Sequence, residues 1–352
     1  MKKKIILLQL IHVVIGLIIL FFIYVIFIKK IFYDPVIDNQ YILDENKLSN
    51  LPKDVMPVII ARNSNSSQKS YEYNLIKLLL EKSGVKFKMG FSVSKDQDIS
   101  EIVSEVARDS GKDKSYGPNI AILSVYHNLS QYQELQAIKI PVYLGVNGID
   151  ISYINSDNVN IFKNTRKSSD LSGVLMQAKG WATVKIFEDL GIPVYESSAS
   201  DLYYMLKYNR VDYFPVGYAF VGGDAFGIDS DYLQDVVLEP NLLFIYSDIF
   251  FPVVSKNNTK LYNAITSGFR KALQDGSFMK LFKSYFLDDD YLCKINFPSR
   301  RIIFFPRSQK PSEDIKFISK KLSPINFNKI ASGEIKTGNE LLLSLGYKVN
   351  CH

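Results

Sequence analysis

The sequence predicts an α/β protein built as two lobes, and three observations carry that prediction. Residues 173–215 read GVLMQAKGWATVKIFEDLGIPVYESSASDLYYMLKYNRVDYFP, a run in which apolar stretches and helical periodicity alternate as β-α-β-α-β. The same alternation runs through residues 58–125. The chain has 352 residues, 47% of them hydrophobic, which is enough for two lobes of ordinary domain size.

Within the first of these stretches, residues 174–176 predict a strand leading into a small-residue turn. A helix begins near Trp181 and carries Trp181, Val184, Phe187 and Leu190 along one face, with Gly191 where a left-handed end is needed. Residues 192–195 predict the next strand. Ser198 and Asp201 have the Ser-x-x-acid spacing of a capping box, so a second helix starts there and ends at Asn209 and Arg210. Residues 211–214 close the unit as a strand. Sheets of this pattern take ligands at the ends of their strands.

Upstream, residues 58–61 predict a buried strand and residues 71–83 a helix closed by Gly84, with Leu75, Leu78 and Leu79 on one face. Residues 86–91 predict a strand. Ile99, Ile102, Val103 and Val106 mark an amphipathic helix, and residues 119–125 another strand. Downstream, residues 259–274 and 277–286 predict helices split by Asp275-Gly276, and residues 339–345 a short helix ending at Gly346.

The amino terminus has a different character. Residues 5–28 carry no charge, with Gln9 and His12 their strongly polar members. At 1.5 Å per residue they span about 36 Å, enough to cross a bilayer core with some tilt. Lys29-Lys30-Ile31-Phe32-Tyr33-Asp34-Pro35 follows with no small-x-small cleavage site, so residues 1–30 are expected to be an uncleaved signal anchor and residues 31–54 a linker. Lys2, Lys3 and Lys4 before the segment against Lys29 and Lys30 after it place the body outside the cytoplasm. The competing reading is a buried soluble helix.

Charge and cysteine usage exclude several classes. The net charge is +6, from 42 basic and 36 acidic residues. Five lysines flank the anchor, and the tail from Pro306 holds eight basic and four acidic residues, which leaves 29 basic against 32 acidic in the body. A nucleic-acid binder would concentrate positive charge on the fold, so that partner is not expected. Two cysteines and three histidines show no metal-ligand spacing, and no Walker, dinucleotide or Gly-x-Ser-x-Gly pattern is present. Metal, cofactor and catalytic residues are therefore not expected, and the chain is not expected to be an enzyme. If the body is extracytoplasmic, a Cys293–Cys351 disulfide would pin the tail to the fold; two unpaired thiols are the other possibility.

Four short motifs carry a resemblance: Gly180-Trp181, Leu190-Gly191-Ile192-Pro193-Val194, Ser197-Ser198 and Asp212-Tyr213-Phe214-Pro215. Together they make residues 55–305 similar to the extracytoplasmic solute-binding proteins of family 3, within an uncharacterised membrane-anchored subgroup. The resemblance implies a type II periplasmic-binding-protein clamshell behind one transmembrane helix. Residues 138–145 (IKIPVYLG) and 249–255 (IFFPVVS) would be the crossings between lobes. Lobe 1 would then comprise residues 55–145 and 250–305, lobe 2 residues 146–249, and the tail residues 306–352.

It also implies a small polar ligand held between the lobes, with closure driven by its affinity for the closed state. The partner would be an ABC-type permease or a membrane sensor, and the location the cytoplasmic membrane with the body facing the periplasm or the exterior. Candidate ligand contacts are Arg62, Tyr71, Glu72 and Tyr143 from lobe 1, and Lys179, Gly180, Trp181, Ser197, Ser198, Tyr213 and Phe214 from lobe 2. The turn at Lys179-Gly180 enters a helix whose N-terminal N–H groups favour an anion. Each candidate has a plainer reading as well: Lys179 as a solvated lysine, Trp181 as core, Ser198 as a helix cap, and Tyr213 and Phe214 as packed strand. Residues 148–152 (GIDIS) lack the arginine by which amino-acid-binding members grip a carboxylate, and residues 213–217 (YFPVG), directly after Asp212, hold no acid. Two other functions remain on the same sequence: a hydro-lyase like the cyclohexadienyl dehydratases, and a ligand-free interaction module.

Overall fold

The structure is a computed structural model, and it describes residues 50–61, 68–92, 99–108, 117–124, 133–198, 201–221, 235–306 and 325–351. The expected signal anchor and most of the linker lie outside these residues. Among the described residues no helix is long and apolar enough to cross a membrane.

Two sheets organise the chain. The first contains β1 (Met56–Ile60), β2 (Phe87–Phe91), β3 (Ile120–Ser124), β4 (Leu135–Ala137) and β11 (Phe250–Ser255), in the order β2-β1-β3-β11-β4. β1 is parallel to β2 and β3, whereas β11 runs antiparallel to both β3 and β4. The second contains β5 (Ile149–Asn155), β6 (Leu175–Ala178), β7 (Val194–Ser197), β8 (Tyr213–Gly217), β9 (Val236–Leu238), β10 (Leu242–Ile245) and β12 (Arg301–Phe304). Its order is β12-β10-β5-β8-β6-β7, with β9 also on β5. The first sheet is thus made by chain segments that come before and after the main body of the second.

Helices form where the sequence caps them. In α1 (Tyr71–Ser83) the Ser70 side chain accepts from the Tyr73 N–H, and Gly84 ends the helix at φ 81°. Its buried face, including Leu75 and Leu79, joins the main core. α2 (Ile99–Ala107) lays Ile102, Val103 and Val106 on Ala121, Leu123 and Val253 of the first sheet. On the second sheet lie α3 (Ala182–Asp189) and α4 (Leu202–Lys207). α5 (Thr259–Gln274), capped by Asn258, and α6 (Ser277–Phe286) have the expected bounds. α7 (Asp289–Lys294), α8 (Phe327–Ala331) and α9 (Gly338–Ser344) follow.

The main core is continuous across both sheets, taking Val58, Leu75 and Phe269 together with Ile151, Phe214 and Leu243. The opposite face of the second sheet has its own cluster of Phe162, Phe187, Tyr213, Phe244 and Phe305. Each such fully buried side chain contributes about 1.5–3 kcal/mol relative to exposure.

Two local expectations change. The segment Arg300 to Phe305, grouped by resemblance with the first lobe, instead supplies β12 alongside β10 of the second sheet. Asp201 itself is the N-cap of α4 and makes no side-chain cap bond; the Ser197 hydroxyl reaches its Oδ2 at 3.1 Å. Cys293 and Cys351 are joined as a disulfide.

Candidate functional site

The chain leaves the first sheet after β4 and returns to it at β11, and the two passages touch. At the first, Leu144 (φ 52°) and Gly145 (φ 90°) turn the backbone into the short helical turn Val146–Gly148. At the second, the Tyr246 N–H donates to the Gly148 carbonyl at 2.9 Å. A Cβ on Gly148 would lie 1.8 Å from the Tyr246 carbonyl oxygen, so this approach requires glycine. The two passages abut here, continuing the antiparallel pairing of β5 with β10.

Two buried carboxyl groups flank this contact. The Tyr246 hydroxyl donates to Asp150 Oδ2 at 2.6 Å, and the Ser124 hydroxyl, at the end of β3, donates to Asp248 Oδ1 at 2.6 Å. Burial pushes the Asp150 carboxyl up to about 8; the Tyr246 hydrogen bond opposes this and the Asp248 charge adds to it. Asp150 therefore holds its proton at neutral pH. Sequence reasoning noted this stretch for its missing arginine and did not single out Asp150, because its partners are far off in the chain.

The first-sheet candidates form one group. Tyr71, the first residue of α1, is buried and donates to the Val142 carbonyl at 2.7 Å. Its ring stands 5.4 Å from Tyr143 and 4.7 Å from Phe286. The Tyr143 hydroxyl donates to Glu72 Oε1. Burial raises both phenols well above the usual tyrosine range, and the neighbouring Glu72 carboxylate raises them further, so both remain hydrogen-bond donors. Arg62 lies outside the described residues.

The second-sheet candidates form another group. Lys179 and Gly180 are exposed at the turn into α3, where Gly180 has φ 80°. The Lys179 N–H donates to the Ser197 carbonyl at 2.8 Å, which ties this turn to the end of β7. Trp181 is the N-cap of α3 and makes no side-chain cap bond, since an indole offers no acceptor. It is half-buried with its ring 6.2 Å from Phe214. Behind the turn, Thr183 donates to Gln177 Oε1 at 2.8 Å, and Gln177 Nε2 donates to the Pro215 carbonyl at 2.9 Å. That support was not anticipated from the sequence. Ser198 is exposed and Ser197 half-buried.

Tyr213 and Phe214 do not act together. Successive side chains of a strand point to opposite faces. Phe214 packs beside Trp181 in the main core, whereas Tyr213 sits on the far face with its ring 5.0 Å from Phe162 and 6.1 Å from Phe244. Each is 1% exposed. Both are packed strand residues in this conformation.

No family model matches the sequence. The search of curated proteins likewise finds no match. Solved structures are similar to part of the chain. The GluR0 ligand-binding core from Nostoc punctiforme, in complex with L-glutamate, is similar over 65% of this chain and 99% of its own, at 14% identity and a TM-score of 0.44. An ancestral arginine-binding protein bound to arginine is similar over 66% and 99%, at 16% identity and a TM-score of 0.46. An amino acid ABC transporter substrate-binding protein from Streptococcus pneumoniae, bound to L-arginine, is similar over 65% and 93%, at 11% identity and a TM-score of 0.45. All three are ligand-binding proteins.

Proposed function

We propose that this chain is a membrane-anchored, extracytoplasmic solute-binding protein that holds a small polar molecule between two lobes and serves a permease or a membrane sensor. One observation carries the reading. The first sheet is completed by a strand, β11, that arrives only after the chain has built most of the second sheet, and the two passages between sheets abut at Gly148 and Tyr246. An interrupted lobe joined to its neighbour by paired strands is the architecture of a hinged clamshell.

The turn at Lys179 and Gly180 suits an anionic group on the ligand. It pairs an exposed cation with the N-terminus of α3, where the first N–H groups and the helix dipole favour negative charge. Tyr143 with Glu72 supplies a polar pair on the first-sheet side. A disulfide between Cys293 and Cys351 fits an oxidising compartment, in keeping with a body outside the cytoplasm. The charge-free residues 5–28 support the anchor.

A thermal-shift screen tests the proposal. Amino acids, amines, carboxylates, sugars and short peptides are offered to the full chain in detergent. A ligand at a hundredfold its dissociation constant adds about 2.7 kcal/mol of stability. A shift abolished by Lys179→Ala supports the reading, and no shift across all classes rejects it.

One observation favours a second reading, a hydro-lyase on this fold. Asp150 is a buried carboxylic acid with a raised pKa beside the passage between the sheets. That reading requires a bound compound to be returned as a dehydrated product, and the turnover to disappear in Asp150→Asn.

A further inference from the structure

Two arginines from distant parts of the chain meet at one backbone oxygen. Arg301 opens β12, and strand alternation puts it on the same face as Ile303 and Phe305. Those two belong to the cluster that also holds Phe162 and Phe244. Phe162 anchors the turn that follows it. Its ring stands 5.8 Å from Phe244, and its carbonyl accepts from the Thr165 N–H at 3.1 Å. Asp170 closes the turn, its Oδ2 accepting from the N–H groups of Arg166 at 3.0 Å and Lys167 at 3.1 Å.

The buried Thr165 thereby presents its carbonyl to the start of β12. That oxygen accepts from Arg301 Nη2 at 2.5 Å and from Arg166 Nη1 at 3.2 Å. Arg166 Nη1 also donates to the Lys163 carbonyl at 3.1 Å. Each guanidinium has five N–H donors, so both keep donors in hand. Arg301 Nε is buried without a hydrogen-bond partner. Among the described residues neither arginine is ion-paired, and the acids nearby are engaged: Glu239 with Arg300, Asp170 with the turn N–H groups. Burial lowers the Arg301 guanidinium and the Arg166 charge lowers it further, against the pull of Glu239. Two cations crowded on one carbonyl repel each other, and a shared anion removes that repulsion.

The pair stands apart from the candidate solute site. β5 is antiparallel to β8 and β10, while β6 is parallel to β8 and β12 to β10, so β6, β8, β10 and β12 run in one direction. Lys179 follows the C-terminal end of β6, and Tyr246 that of β10. Arg301 lies at the opposite end of the sheet. Exposed Lys163 and Lys167 on the turn, and Lys336 beside the Thr337 that bridges to Arg301, extend the positive charge there.

We propose that Arg166 and Arg301 form a phosphate-binding site at the end of the second sheet away from Lys179. The two oxygens of a carboxylate are filled by a single guanidinium fork, whereas a phosphate group offers oxygens to both forks. An anionic lipid headgroup and a soluble phosphate carry the same group, and the test separates them. The site is independent of solute binding.

The test is phosphorus NMR of the full chain in non-ionic detergent, with inorganic phosphate in one series and dihexanoylphosphatidylglycerol in the other. The unaltered protein is expected to broaden the phosphorus line saturably. Arg166→Gln should weaken binding about tenfold or more, because charged hydrogen bonds are lost. Lys280→Gln, which removes one exposed charge from α6, should leave it unchanged. Tighter binding of the lipid assigns the site to a membrane surface, and tighter binding of inorganic phosphate to a soluble ligand. No saturable broadening in either series overturns the proposal. So do equal losses in Arg166→Gln and Lys280→Gln, which would mean diffuse attraction to net charge. Arg166 is exposed, so its replacement leaves the core intact. If that chain fails to fold, Arg301→Gln is read against the same control and decides.

Discussion

Arg300 and Glu239 form a buried ion pair whose removal has a calculable consequence. They are 2% and 1% exposed, with Arg300 Nη1 3.7 Å from Glu239 Oε2. Glu239 Oε2 also accepts from the N–H groups of Asn241 at 2.9 Å and Leu242 at 2.7 Å, which shapes the turn between β9 and β10. Arg300 donates to the carbonyls of Ile295 at 2.8 Å and Leu242 at 3.2 Å, and to that of Glu239. Burial lowers its guanidinium to about 10 while Glu239 pulls it back up, so it stays charged at neutral pH. Replacing one member leaves an uncompensated buried charge, at a cost of about 3–5 kcal/mol.

Arg300→Met is expected to fall at the upper end, because three carbonyls lose a donor along with the carboxylate. Glu239→Gln should cost less, since the amide still accepts from the turn N–H groups. The double substitution is expected to cost well below the sum of the two, as neither charge is then left alone. Urea unfolding read by the midpoint at unchanged m-value measures all three. Single costs below about 1 kcal/mol, or a strictly additive double, would refute the argument that this pair is desolvated and coupled.

Three further outcomes follow from the same geometry. Asp150 holds a proton in the native state between about pH 4 and pH 8 that the unfolded chain has released, so stability falls as pH rises through that window. The slope is at most about 1.4 kcal/mol per pH unit, and Asp150→Asn should abolish it in a pH series of melting curves. Gly148→Ala should destabilise by about 1–3 kcal/mol or more, because the added methyl meets the Tyr246 carbonyl; an unchanged melting temperature would contradict the abutting passages. Cys293→Ser opens a loop of 58 residues and should cost about 4 kcal/mol in denaturant, with no further loss when a reductant is added.

Much of the fold was legible where local signals suffice. α1 has the expected bounds because Ser70 and Gly84 cap it, and α5 and α6 do because Asn258 caps the first and Gly276 separates them. Long-range pairing left no such trace. β12 is four residues whose parallel partner lies about sixty residues away, so nothing nearby says which sheet it joins. β4 has three residues and α7 six, too few for periodicity to register.

The site divides in the same way. Tyr71 and Glu72 meet Tyr143 across about seventy residues, a contact that the fold supplies and no local signal announces. Strand alternation alone separates Tyr213 from Phe214, placing them on opposite faces of β8. The pairs Asp150–Tyr246 and Ser124–Asp248 are joined across 96 and 124 residues, and only the fold brings them together.

Native mass spectrometry of the gently purified full chain, released from detergent in the gas phase, addresses the solute-binding claim most directly. Solute binding predicts a population carrying one extra small polar molecule, which is lost on denaturation and recovered chemically unchanged. A bare protein mass, persisting after the folded chain is incubated with a metabolite extract, would contradict it.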